Sequence, residues 1–337
     1  MRDQFVDVWE ALSSTLQQQG RVYRRLHPES DLDLRAVLNL DNGELSLSLL
    51  LSVDELAERV ATLPSTRMID VVQSATADAL RVEVDVVLKD KAFQDVFKVM
   101  VDDLADACVS ASSEIGAYRV LVSRLGSWRD MMERVQRGGL NRQYRRGLFG
   151  ELYFILRLAA SGAGADHAVM GWIGPSRAPQ DFQFNDFAVE VKVSSGLQPQ
   201  HFVVANEREF DRLNNADLFC FHISVDERTG GIGMSLNDLV ERIRFLLEGD
   251  YISLKFFQDG LTKYGYIESQ LELYLEPKYT VRDTATFNVK DEFPRIVESD
   301  LRTGVGSVKY SVSVDACSEF SVGFHEIVNK LDELGES

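Results

Sequence analysis

The segment Pro179–Gly196, PQDFQFNDFAVEVKVSSG, carries Asp181, Glu190 and Lys192 inside a run of phenylalanine and valine. Polar and apolar residues alternate before and after Asn185-Asp186, which predicts two strands joined by a two-residue turn. In the hairpin that this turn allows, Asp181 lies directly opposite Glu190, with about 5 Å between the two Cβ atoms. Lys192 lies on the same face, because side chains two residues apart in a strand point to the same side.

This arrangement of charges suggests a particular chemistry. Two carboxylates that face each other across a strand pair repel and destabilise the sheet. Lys192 can offset part of that repulsion and a shared proton can remove one charge, whereas a divalent cation would do both. Hard carboxylate oxygens select Mg²⁺ or Mn²⁺, which can generate hydroxide and stabilise a phosphate transition state. One alternative stays open at this point: a solvent-facing hairpin whose three charges form a weak surface network.

The residues around this segment predict the elements that position it. Strand and helix patterns alternate, which favours a mixed sheet flanked by helices. The predicted elements are a buried helix Leu148–Ala160, a strand His201–Val204, a short helix Asn206–Leu213, a buried strand Leu218–Val225 and a helix Leu236–Leu247. The later runs TATFNV and SVKYSVSV predict strands that extend the same sheet.

The N-terminal third reads as a smaller α+β unit. Alternating segments on both sides of Asp41-Asn42-Gly43 predict a β-hairpin. The other predicted elements are a helix Phe5–Gln18, a strand Leu80–Leu88, and two helices, Ala92–Val109 and Glu114–Val135.

A basic segment separates the two parts. The stretch 134–147 holds five arginines and no acidic residue, in a chain whose net charge is −17. We interpret it as a linker between an N-terminal domain, 1–136, and a second domain, 137–337, that ends in a β-rich extension. A solvated hinge explains the charge equally well, but a basic cluster in an acidic chain is also the best candidate for phosphate contacts. The candidate DNA-binding residues are Arg137, Arg142, Arg145 and Arg146.

Composition narrows the class of protein. The 337 residues are 45% apolar and 26% charged, which is typical of globular domains. No apolar run is long enough to span a membrane, and the polar first residues lack a signal-peptide core. The three widely spaced cysteines favour reduced thiols in a cytoplasmic protein without a zinc site. His201 and His222 are spaced for no metal pair or triad, and Trp172 is predicted to be a core residue.

The motif resembles the active site of the PD-(D/E)XK nuclease superfamily, which has a restriction-endonuclease-like fold. The matching residues are Pro179-Gln180-Asp181 and Glu190-Val191-Lys192, and Gln180 departs from the pattern by separating the proline from the aspartate. A glutamate on the helix before the motif is common in that superfamily, and Glu151 occupies the matching position. The resemblance implies that Asp181, Glu190 and the Val191 carbonyl bind Mg²⁺ or Mn²⁺. It further implies that Lys192 positions the attacking water while Glu151 supports the site.

Over roughly residues 1–325 the chain also resembles a bacterial family known by its PD-(D/E)XK motif. GELYFILRL, VEVKVSSG and FPRIVESDLRTGVGSVKYSV carry this likeness. It implies a Mg²⁺-dependent endonuclease of double-stranded DNA within a restriction or anti-phage defence module. A helicase-like or MORC-type ATPase is the implied partner, and a homodimer is possible. The competing interpretation is a non-catalytic DNA-binding or scaffolding subunit that retains the nuclease fold, which the acidic composition favours.

Overall fold

A computed structural model describes residues 4–14, 19–52, 66, 68–136, 139–176, 178–196, 198–212, 216–290 and 292–335. The chain divides into two compact units, Met1–Val135 and Gln136–Ser337. Cys108, Cys220 and Cys317 are buried and form no disulfide. No helix of the described ranges is long and apolar enough to cross a membrane.

The first unit contains a five-stranded antiparallel sheet in the order β1-β2-β3-β5-β4. Its strands are β1 Arg21–Leu26, β2 Asp33–Asn39, β3 Glu44–Ser52, β4 Ile69–Ala75 and β5 Arg81–Leu88. Its helices are α1 Gln4–Ser13, α2 Gln94–Val109 and α3 Glu114–Arg134. The predicted hairpin is confirmed, and Gly43 at its turn has a φ of +69°, which glycine adopts without strain. The end of the predicted helix Phe5–Gln18 lies outside the described residues.

The second unit contains the candidate site. Its strands, beginning with one that spans the boundary, are β6 Val135–Gln136, β7 Gly139–Leu140, β8 Phe182–Gln183, β9 Phe187–Ser194, β10 His201–Val204, β11 Asp217–Arg228, β12 Lys278–Asn288, β13 Tyr310–Ser313 and β14 Ser321–Val322. Its helices are α4 Arg142–Ala160, α5 Ala165–Met170, α6 Leu236–Leu246, α7 Tyr251–Tyr264 and α8 His325–Gly335.

The main sheet of this unit is mixed, as predicted. The strand order is β14-β12-β11-β9-β8, in which β9 and β11 run parallel and the other neighbours run antiparallel. The fold is therefore the α+β arrangement of restriction-endonuclease-like proteins, with a mixed sheet flanked by helices. Parallel neighbours need a crossover connection between them, and the chain between β9 and β11 provides it while also forming β10.

Helix α4 lies directly against the sheet because a glycine allows close approach. A Cβ added at Gly150 would lie only 2.3 Å from Val193 Cγ2 and 3.2 Å from Val191 Cγ1. These valines belong to β9, so the backbone of the helix packs directly on side chains of the motif strand. The next residue of α4 is Glu151, whose position is therefore set by this contact.

Three sequence predictions for this unit are wrong. Helix α4 begins at Arg142, six residues before the predicted start, because the Asn141 side chain caps it by accepting hydrogen bonds from two backbone N–H groups. Residues 207–210 form turns and not a helix. The strand within SVKYSVSV pairs with β10 in a separate two-stranded sheet and does not extend the main one.

Candidate active site

Asp181 lies immediately before β8, at the edge of the motif strand. The predicted hairpin register is confirmed by the pairs Phe182–Val189 and Gln183–Ala188. The ladder ends there, one residue short of the predicted Asp181–Glu190 pair, because the Asp181 carbonyl accepts hydrogen bonds from the N–H groups of residues 173 and 174. The Asp181 carboxylate instead accepts a hydrogen bond from the Val191 N–H, at 2.9 Å.

The Val191 backbone faces the same edge as Asp181. The N–H and C=O groups of one strand residue point toward the same neighbouring strand. Since the Val191 N–H bonds to Asp181, the Val191 carbonyl lies on the Asp181 side of β9. The carboxylate and the carbonyl are thus on one edge of β9.

Glu190 and Lys192 share a buried face of β9. Their relative exposures are 4% and 9%, which excludes the solvent-facing surface network considered as the alternative. The Lys192 ammonium donates to Glu190 Oε1 at 2.6 Å and to Glu209 Oε2 at 2.5 Å. It also lies 5.8 Å from the centre of the Phe210 ring. A lysine buried to this degree is retained only when its charge is paired.

Glu151 reaches the site from α4. It is buried, and Trp172 Nε1 donates to its Oε2 atom at 2.7 Å. Gly174 separates this carboxylate from Asp181: a Cβ at Gly174 would lie 3.0 Å from Asp181 Oδ1 and 3.2 Å from Glu151 Oε2. The absence of a side chain at Gly174 therefore lets the two carboxylates approach the same space.

Burial and mutual repulsion shift the pKa values of these acids upward. Burial raises the pKa of Asp181 to about 6, although Lys192 and the Val191 hydrogen bond act in the opposite direction. Burial, followed by the charge of Asp181, raises the pKa of Glu151 and of Glu190 well above the usual value. Burial alone would lower the pKa of Lys192, but the carboxylates around it raise that pKa, so the ammonium stays charged. Acids held in this state are stabilised by an added positive charge.

The donor set fits a hard divalent cation. Glu190 Oε2 is buried and has no hydrogen-bond partner, so one oxygen of the glutamate is available while the other binds Lys192. Oxygen donors of this kind suit Mg²⁺ or Mn²⁺. In the described part of the chain, no three His, Cys, Asp or Glu side chains already surround a common metal position. Asp181, Glu190 and the Val191 carbonyl are the groups that would hold the ion.

The raised pKa of Asp181 predicts a pH dependence of stability. Between its usual 3.8 and about 6, Asp181 is ionised in the unfolded chain but protonated in the folded one. The folded state then binds more protons, so the free energy of unfolding of the metal-free protein should fall as pH rises through this window, by up to about 3 kcal/mol. Urea titrations at pH 4.5 and pH 7 in EDTA would measure it. A free energy of unfolding that rises across this window would contradict the buried-acid description.

The arginines of the basic segment have separate structural settings. The Arg142 side chain is 72% exposed and pairs with Glu227 at 2.9 Å. Its charge is therefore paired, although the surrounding sequence contains no acidic residue. Arg145 donates to the backbone carbonyls of residues 140, 273 and 276. Arg146 hydrogen-bonds Ser195 Oγ, just beyond β9. Arg137 lies outside the described residues. DNA contact by these arginines stays a prediction.

Three further residues of the site were not identified from the sequence. Trp172 is a core residue, as predicted, but its N–H also binds Glu151. Glu209 binds Lys192 from a turn 17 residues further along the chain. Gln180, which departs from the motif in the sequence, is 2% exposed and binds the turn that contains Glu209. The alternation of polar and apolar residues around Gln180 and Glu209 does not indicate that these two side chains are buried.

A mixed sheet flanked by helices, with Asp181 beside a Glu-x-Lys strand and a glutamate from the preceding helix, defines a PD-(D/E)XK nuclease-like protein. The chain belongs to the family described as "Putative PD-(D/E)XK family member (DUF4420)", whose model matches residues 5–315. No curated protein and no solved structure gave a match to this chain.

Proposed function

We propose that this chain is a metal-dependent endonuclease that hydrolyses phosphodiester bonds of double-stranded DNA. The observation that carries the proposal is the buried pair Glu190–Lys192, which leaves one glutamate oxygen without a hydrogen-bond partner. Besides burial, the charge of Asp181 acts on the same glutamate by raising its pKa. A scaffold would gain little from this arrangement, because burying several acids around one lysine costs stability. An enzyme gains a cation site and an oriented ammonium.

The chain's own residues have distinct roles in this chemistry. Asp181, Glu190 and the Val191 carbonyl would hold the cation, which would supply Lewis-acid chemistry toward the phosphate and activate water. Lys192 donates to the attacking water and offsets negative charge on the phosphate. Glu151 lies across Gly174 from Asp181 and supports the same space, while Trp172 fixes the orientation of its carboxylate.

The setting of the activity is also part of the proposal. The family resemblance supports a subunit of a bacterial restriction or anti-phage defence system that acts with a helicase-like or MORC-type ATPase. The net charge of −17 supports dependence on a partner, since an acidic surface repels DNA at long range. The same charge favours the second candidate function, a DNA-binding or scaffolding subunit without catalysis.

Cleavage assays separate the two functions. We expect supercoiled and linear duplex DNA to be cut with Mg²⁺ or Mn²⁺ and not with EDTA. Ca²⁺ should bind without supporting cleavage, because it prefers more ligands at longer distances and activates water less well. The assays should be run with and without the ATPase partner. Cleavage that persists in EDTA would contradict the metal mechanism, and no cleavage under any condition would favour the scaffold.

Salt dependence tests the basic segment. Changing Arg142 and Arg146 to alanine should weaken duplex binding and lower the slope of log affinity against log salt by about 0.9 for each lost phosphate contact. Arg145→Ala should mainly destabilise the fold, because its guanidinium binds backbone carbonyls. Arg302→Ala, an exposed arginine outside the segment, is the matched control. Binding by the double variant that equals the wild type at every salt concentration would assign the segment a purely structural role.

A further inference from the structure

The Lys192 ammonium is fixed at two points. It has three N–H donors, and two of them bind Glu190 Oε1 and Glu209 Oε2. An ammonium held by one partner rotates freely about its terminal bond, whereas one held by two partners has a third donor of defined direction. The second partner therefore determines where Lys192 can donate to a reacting group.

Glu209 is itself held rigidly. Both of its carboxylate oxygens accept from the backbone N–H of Ala205, at 3.1 Å each. The residue is 8% exposed, and Asn206 Nδ2 lies 3.4 Å from Oε1. These bonds fix the carboxylate, and turning it away from the lysine would leave one donor of the buried Lys192 ammonium unpaired, which is costly.

Gln180 ties the turn that contains Glu209 to the start of the motif. Its Nε2 atom lies 3.1 Å from the carbonyl oxygens of Arg208 and Asp211, and 3.5 Å from that of Glu209. Gln183 Nε2 donates to its Oε1 atom, which fixes the amide orientation. The residue that separates Pro179 from Asp181 thus connects the cation-binding aspartate to the turn behind Lys192.

We propose that Glu209 is a positioning residue that aims the Lys192 ammonium at the reacting water, and that Gln180 holds Glu209 in place for this purpose. This inference rests on the proposed nuclease function. In it the glutamine between Pro179 and Asp181 is a part of the site, because it links the start of the motif to the turn that contains Glu209. Glu190 then binds Lys192 with one oxygen and the cation with the other, while Glu209 keeps the ammonium oriented.

The kinetic test uses Glu209→Gln, which keeps the size of the side chain and removes the charge. We expect kcat for DNA cleavage to fall by roughly 10²-fold, the scale of a misplaced catalytic group, while KM and the Mn²⁺-induced rise in Tm stay near the wild-type values. Gln180→Met should lower kcat in the same way, and the double variant should be no slower than Glu209→Gln alone. Additive losses in the double variant, or a change confined to KM, would overturn the proposal.

Glu207→Gln is the matched control. Glu207 belongs to the same turn and is buried to a similar degree, but it accepts from the N–H groups of Ser307 and Val308 and does not touch Lys192. Its kcat should stay within about twofold of the wild type. A loss of kcat as large as that of Glu209→Gln would show that any disturbance of the turn slows cleavage. That result would overturn the positioning role of Glu209.

A stability cycle keeps this inference separate from the nuclease activity. Unfolding equilibria of Lys192→Met, Glu209→Gln and the double variant should be non-additive by at least about tenfold in the equilibrium constant, as expected for residues in contact. A wild type that cuts no DNA with any metal ion or partner would overturn both the nuclease function and the aiming of water. A non-additive cycle in that case would still support Glu209 as the second anchor of Lys192, whereas additivity would overturn that contact.

Discussion

Replacing Lys192 with methionine is expected to reduce cleavage by about 10²–10³-fold, the loss typical of removing one transition-state donor. It should also lower the free energy of unfolding of the metal-free protein by about 3–5 kcal/mol, because it leaves buried charge without a partner. Glu190 and Glu209 would face each other with no ammonium between them. DNA affinity should change little, because the charge of Lys192 is already offset within the protein.

Cleavage rates, urea unfolding and filter binding would measure the three effects in the same preparations. Lys290→Met is the matched control, since this lysine is exposed. A Lys192→Met protein as stable as the control would mean that the contacts of Lys192 with Glu190 and Glu209 do not stabilise the fold. Undiminished cleavage would remove Lys192 from the mechanism.

Asp181→Asn is expected to give an inactive protein that is more stable than the wild type. The asparagine can still accept the Val191 N–H bond that Asp181 accepts. It carries no charge, so the penalty of ionising a buried acid disappears, and the metal-free variant should gain up to about 3 kcal/mol at pH 7.5. Cleavage should fall by about 10³-fold or more, since a cation contributes several kcal/mol to catalysis and 1.36 kcal/mol corresponds to a factor of ten.

Thermal unfolding with increasing Mn²⁺ links the two effects. A cation that binds only the folded state raises Tm with concentration, so the wild type should show this rise and Asp181→Asn should not. Asp186→Asn, in the exposed turn of the same hairpin, should behave like the wild type. A variant less stable than the wild type at pH 7.5, or one that keeps the Mn²⁺ response, would contradict the role given to Asp181.

The faces and the register of the motif strand were predictable because they depend on residues that are neighbours in the sequence. Alternation of polar and apolar residues fixed which side chains of β9 share a face, and the two-residue turn fixed the register with β8. The burial of Glu190 and Lys192 was not predictable from this pattern, since a polar face usually meets water. Only the residues packed against that face, which include Phe210, decide that it is buried.

Long-range contacts account for most of what the sequence did not reveal. Glu209 is brought to Lys192 by a turn predicted as a helix, and the Gln180 contacts cross about 30 positions of the chain. The early start of α4 is a different case, because Asn141 is a recognisable N-cap. The high arginine content of this stretch favoured a linker, and it was given more weight than the N-cap residue.

The parallel pairing of β9 with β11 has a consequence for synthesis of the protein. The first sheet has all its strand partners within residues 21–88, so it can form early, as domains do when they fold during translation. The motif strand, by contrast, meets β11 only after residue 228 has been made, and β11 in turn needs β12, which ends at Asn288. Non-local pairings of this kind form slowly. A ribosome-bound chain therefore carries the motif before the sheet around it has assembled, and the candidate site is complete only late in synthesis.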